Sequence, residues 1–115
     1  MGRRQSLILR IVSTDKTFER RLVGAKSVWC GKCIHCNSKL VVTAEGDAAY
    51  ATVEHIVPTT KGGDEALDNL ALACRRCNNL KGKRLDQRPL SDPALQHVIA
   101  LLRARRQARW RDPPG

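Results

Sequence analysis

Apolar and polar positions along this chain fall into short segments of changing period. Leu40-Val41-Val42-Thr43 reads as a strand, and Glu45-Gly46-Asp47 after it as a turn. Ala51 to Val57 reads as a second strand, stopped by Pro58. A loop carrying Gly62-Gly63 follows. Leu70, Leu72 and Cys74 alternate, which predicts a strand over 70–73, and residues from Arg75 to about Arg84 read as a short helix. Ser91 and Asp92 are N-cap residues, and Pro93 suits a first helical turn. Leu95, Val98, Ile99 and Leu102 then form an apolar stripe at helical spacing. At the other end, Leu7 to Val12 is expected as a strand. Thr14 is expected to cap a helix reaching Gly24, with Phe18, Leu22 and Val23 on one face. The pattern implies an α+β fold in three parts: a basic N-terminal extension (1–29), a core (30–88), and a C-terminal amphipathic basic helix with a fraying tail (89–115).

Size sharpens that picture. A chain of 115 residues with Phe18, Trp29, Tyr50 and Trp110 as its large aromatics builds only a small core, and small cores need staples. Charge narrows the partner. Twenty-one Lys and Arg against eleven Asp and Glu give a formal +10, which suits a polyanion whose condensed counterions basic side chains displace. DNA is the expected partner, with RNA not excluded and a protein partner or dimer left open. No apolar run approaches the roughly 20 residues of a membrane span. The Leu7–Val12 stretch is broken by Arg10 and lacks a small-residue cleavage site, and Gly2 makes a poor acylation site, so a cytoplasmic protein is expected.

Five cysteines, an odd number in CxxC spacing, point to metal rather than disulfides. Cys33-Ile34-His35-Cys36 and Cys74-Arg75-Arg76-Cys77 each present two thiolates at one tight turn, together a tetrahedral shell suited to structural zinc. The 37 residues between them must form an inserted element. Cys30 and Cys33 are also spaced CxxC. Cys33/Cys36 is preferred because Asn37-Ser38 looks like a knuckle exit, leaving Cys30 and His35 as bystanders.

The inserted element holds Glu54-His55-Ile56-Val57-Pro58, Gly62-Gly63-Asp64 and Asp68-Asn69-Leu70, and Cys74-Arg75-Arg76-Cys77-Asn78-Asn79-Leu80-Lys81-Gly82 follows. Phosphodiester hydrolysis needs a base, a cation and help for the leaving oxygen. His55 suits the base, since an unperturbed imidazole titrates near 6.5. Glu54 and Asn78 offer oxygen ligands suited to catalytic Mg²⁺ or Mn²⁺. Adjacent strand residues point to opposite faces, so Glu54 and His55 can share a site only where the strand ends and twists. Arg75, Arg76, Lys81, Lys83 and Arg84 lie near enough in sequence to contact phosphates.

Taken together, these residues resemble the HNH nuclease family: an acid before His, an Ile-x-Pro exit, a GG loop, Asn-Leu, and a second CxxC followed by Asn and Lys-Gly. The resemblance covers about residues 33 to 84. It implies a small ββα-metal, treble-clef-like core stapled by Zn(Cys)₄, with Asn69 orienting His55 or its loop. It also implies cleavage to 5′-phosphate and 3′-hydroxyl ends. Two departures stand out. Glu54 replaces the common Asp, adding roughly 1.5 Å of reach. Asn78 stands where His is common, which favours Mg²⁺ or Mn²⁺.

Singly, each of these residues has a plainer reading: His55 as a surface histidine, Asn69 as a turn residue, Asn78 as a helix-start residue, Glu54 as an arginine's partner. The main reading is a DNA endonuclease. Its rival is a non-catalytic zinc-knuckle protein that binds nucleic acid by charge, and a partner-dependent accessory is a third. The Arg103–Arg111 run is either a solvated helix face or a track for the nucleic-acid backbone.

Overall fold

The computed structural model describes residues 2–114, so Met1 and the terminal Gly115 lie outside the described residues. The first element is a helix, α1 (Arg3–Ser13), where a strand over 7–12 was expected. The short apolar stretch is instead helical because Ile8, Ile11 and Val12 share one helical face, and that face is buried. Thr14 ends α1 rather than starting a helix. The expected 14–24 helix is instead an antiparallel hairpin, β1 (Glu19–Val23) and β2 (Lys26–Lys32), turning at Gly24-Ala25. β1 is exposed along its whole length, so Leu22 and Val23 face solvent rather than a core.

β3 (Lys39–Thr43) completes a three-stranded sheet in the order β1-β2-β3. Gly31 of β2 is packed so closely that a Cβ there would meet the Phe18 ring at 2.4 Å. The sequence division at residue 29 falls inside β2.

β4 (Ala51–His55) and β5 (Leu70–Cys74) form a second antiparallel sheet, with Glu54 opposite Ala71 and His55 opposite Leu70. α2 (Arg75–Arg84) follows β5 without a loop, and the Cys74 sulfur caps it by accepting from the Cys77 N–H. These elements make a ββα unit. α3 (Pro93–Arg109) starts at Asp92, whose carboxylate accepts from the amides of Ala94 and Leu95. Its Leu95, Ile99 and Leu102 are buried, as the stripe predicts. The fold is thus mixed α+β with three helices and two antiparallel sheets among the described residues.

The β4–β5 pair lies between α1 and α2. Leu70 to Ala73 are all fully buried, as a strand covered on both faces must be. Thr52 and Glu54 meet α2 side chains, whereas Val53 and His55 border α1 across a cleft. This two-sidedness governs the chemistry of the site.

α3 is tied to the rest by arginines. Arg106 is buried to 1% exposure and donates to the carbonyls of Thr14, Leu67 and Leu70 and to the Thr14 hydroxyl. Burial pushes its guanidinium pKa down, though an arginine stays protonated. Arg105 donates to Ile34 and His35 carbonyls, Arg109 to those of Lys32 and Cys33, and Arg111 to those of Val12, Ser13 and Phe18. The Arg103–Arg111 run is therefore largely neither a solvated face nor a free track. Four of its arginines are spent on backbone carbonyls.

Candidate functional site

The thiol cluster forms because two knuckles from distant segments are docked together. Ile34 N–H donates to the Leu72 carbonyl, which seats the first knuckle on β5. Asn37 adopts φ 62°, the left-handed turn that lets the chain leave this knuckle, as the Asn37-Ser38 reading expects. Cys33, Cys36, Cys74 and Cys77 bring all four sulfurs within 4.8 Å of one another. A tetrahedral zinc with 2.3 Å bonds needs sulfurs roughly 3.8 Å apart, so the donor set and its size suit one zinc ion. Cys30 lies outside the cluster.

Backbone amides already point at the sulfurs. Those of His35 and Cys74 donate to Cys33, and that of Cys77 donates to Cys74. Burial pushes the Cys33 and Cys77 thiols up, while hydrogen bonding with Ser38 holds Cys36 down at about 6.

Glu54 and His55 part company at β4. Glu54 is 1% exposed and turned toward α2. One of its carboxylate oxygens, Oε1, lies 3.3 Å from the Lys81 ammonium and 3.1 Å from His35 Nε2. Lys81 is itself buried and also meets Asp86 Oδ1 at 2.7 Å and the His55 carbonyl at 3.2 Å. Two sequence expectations change here. Lys81 is an internal counter-ion, not a free phosphate contact, and His35 is a partner of Glu54 rather than a bystander. The strand does not twist enough before Pro58 to bring the Glu54 carboxylate round to His55.

Asn78 also stands on the α2 side, where its amide nitrogen donates to Thr52 Oγ1 at 2.8 Å and the Val53 carbonyl at 3.1 Å. A divalent ion on Glu54 and Asn78 does not fit this arrangement, because an ammonium already neutralises a buried carboxylate. The other basic residues expected near phosphate, Arg75, Arg76, Lys83 and Arg84, are exposed, and Arg75 also donates to the Ala49 carbonyl.

His55 faces the other way. It borders a cleft of about 880 Å³ lined by Arg3, Arg4, Ser6, Leu7 and Arg10 of α1 together with Val53 and Glu65. The imidazole Nε2 is 2.7 Å from Glu65 Oε1. Glu65 is a functional candidate that sequence reasoning passes over. It belongs to no motif and meets His55 only because the loop folds back.

The folding back has identifiable causes. Gly62 sits at φ 86°, and a Cβ on Gly63 would lie 1.8 Å from the Val57 carbonyl oxygen, so only glycine fits. Asn69 closes the loop. Its Oδ1 accepts from Val57 N–H at 2.9 Å, and its Nδ2 donates to the carbonyls of Val57 and Asp64. Asn69 therefore holds the loop that follows His55 and does not touch the ring.

Residues 33–84 match the family model described as HNH endonuclease. No curated protein and no solved structure matches the chain.

Proposed function

Residues 33–84 carry an HNH-family domain, and from that premise we propose that this protein is an endonuclease that hydrolyses nucleic-acid phosphodiester bonds, DNA first, with His55 as general base. One observation supports this best. His55 is the titratable ring at the mouth of an arginine-lined cleft, with a carboxylate already on one of its nitrogens. An ionised Glu65 accepts, so Nε2 carries the proton and Nδ1 is the basic nitrogen that takes a proton from water. As the imidazole charges, the same carboxylate stabilises it. The thiol cluster would hold zinc as a staple between the knuckles, a closed shell with no position open to substrate.

Mg²⁺ or Mn²⁺, the catalytic ions the family resemblance implies, find no fitting site on Glu54 and Asn78, where the Lys81 ammonium already lies 3.3 Å from the Glu54 carboxylate. That same observation favours the second reading, a protein that binds nucleic acid without cutting it, because Lys81 fills the position beside Glu54 where the catalytic cation is expected.

A plasmid-cleavage assay with Mg²⁺, Mn²⁺ and no divalent ion separates the two. Wild type is expected to nick or cut, leaving 5′-phosphate ends, and His55→Ala to lose on the order of 10²- to 10⁴-fold in rate. Equal cleavage by both proteins, or none under any condition, sinks the nuclease reading.

A further inference from the structure

The basic residues of this protein divide into those already spent and those left free. Arg105, Arg106, Arg109 and Arg111 are committed to backbone carbonyls, and Lys81 to two carboxylates. Arg88 and Arg21 pair with Asp92 and Glu19. Arg3, Arg4 and Arg10 of α1 are exposed, and among the described residues they make no ion pair and no side-chain hydrogen bond. All three line the cleft that holds His55.

Their placement follows from the helix. Arg3, Ser6, Leu7 and Arg10 are spaced i, i+3, i+4 and i+7, which puts them on one face. Ile8, Ile11 and Val12 are buried on the core side. Arg3 and Arg10 are thus about 10.5 Å apart along the axis, comparable to the rise of three nucleotides of one strand at roughly 3.4 Å each. The arrangement also works against the helix itself. α1 has no acid in its first turn, and two arginines stand there against the positive end of the helix dipole. Local rules broken without a stabilising contact mark functional surface. Glu65 is the one acid among the residues lining the cleft, and it is held by His55.

We propose that Arg3, Arg4 and Arg10 of α1 form a phosphate-backbone subsite that lays a nucleic-acid strand along the cleft and across His55. The proposal deepens the nuclease reading and lies outside the family-matched segment, which begins at residue 33. The occupant is set by charge complementarity: Arg3 and Arg10 on one helical face, with Arg4 one position round the helix at the edge of the same cleft, suit a run of phosphodiesters. None of the three needs to touch a base, so the subsite confers affinity and register rather than sequence choice.

The test measures binding in a His55→Ala background, where cutting does not interfere. Fluorescence anisotropy of a labelled duplex DNA and of a labelled single-stranded RNA is followed across a range of KCl concentrations. One protein carries Arg3→Ala, Arg4→Ala and Arg10→Ala. A second carries Lys at the same three positions. A control removes three exposed charges elsewhere, at Lys16, Arg21 and Lys26.

Loss of three phosphate contacts is expected to make the slope of log K against log salt shallower by about 2.7 on duplex DNA. The Lys variant is expected to keep the original slope, and the control to change it by less than about 1. Single substitutions, expected to remove about 0.9 each, carry the test if the triple Ala variant loses its zinc or its circular-dichroism spectrum. An unchanged slope in the Ala variants overturns the proposal. So does an equal fall in the control, or no binding by the parent protein to either nucleic acid. A fall in slope, in a protein whose plasmid cleavage is absent or is the same with His55→Ala, retains the subsite and removes the His55-catalysed nuclease reading.

Discussion

At β4 a single peptide bond separates two environments. Glu54 is buried against Lys81 and His35, and His55 opens on the α1 cleft beside Glu65. A buried carboxylate and a buried ammonium each depend on the other, because removing one leaves an uncompensated charge in a poorly solvated place. Glu54→Gln and Lys81→Met are therefore each expected to lower stability by on the order of 3 kcal/mol. The double variant is expected to lose clearly less than their sum. Urea unfolding of the four proteins checks this, and simple additivity would show that the pair is not coupled. Glu65 is two-thirds exposed, so its hold on His55 is partly screened. Glu65→Ala is expected to slow cleavage on the order of tenfold, well short of His55→Ala, and equal losses would place Glu65 in the reacting set itself. Sequence marked His55 and Asn69 through their motif, but Glu65 and His35 carried no pattern. Their partners lie 10 and 19 residues away and meet them only through folding.

Elements are joined here by two devices, the thiol cluster and the α3 arginines. Zinc held at the knuckles would contribute directly to folding, since no such site exists in the open chain. Chelation is expected to abolish cooperative unfolding of the ββα unit, followed by circular dichroism, and restored zinc to recover it. Cys36→Ser is expected to lose bound zinc, whereas Cys30→Ser keeps one equivalent by metal analysis, because Cys30 lies outside the cluster. The reverse result would assign the first knuckle to Cys30. Arg106 joins the end of α1 to the start of β5 through buried donors. Arg106→Met leaves those carbonyls without partners and is expected to lower stability by roughly 3 to 5 kcal/mol in denaturant titration. A change below about 1 kcal/mol would show that water takes over.

Across the whole molecule the segment that leaves α1 meets the segment that leaves α3. Asp15 pairs with Trp110, Lys16 N–H donates to the Arg109 carbonyl, and Arg111 N–H donates to the Thr14 carbonyl. α3 also supports the first knuckle through Arg105 and Arg109. A chain ending before α3 is accordingly expected to bind zinc more weakly than the full chain, read by competition with a chromophoric chelator. Equal affinity would make α3 an appendage after all. By itself the sequence determined the β3, β4, β5, α2 and α3 segments, the Asp92 cap, the two knuckles and the motifs that match the HNH model over 33–84. Those signals are local: period, caps, turn residues and CxxC spacing survive without knowledge of the rest of the chain. Only the tertiary structure decided that 7–12 is helical and 19–32 a hairpin, because segments this short fit more than one period and packing chooses between them. It alone decided which arginines are spent on carbonyls and which stay free, since charge counts are blind to what a side chain meets. And it put Glu54 and His55 on opposite faces of one strand, because the pleat turns neighbours apart and no bend before Pro58 brings them back.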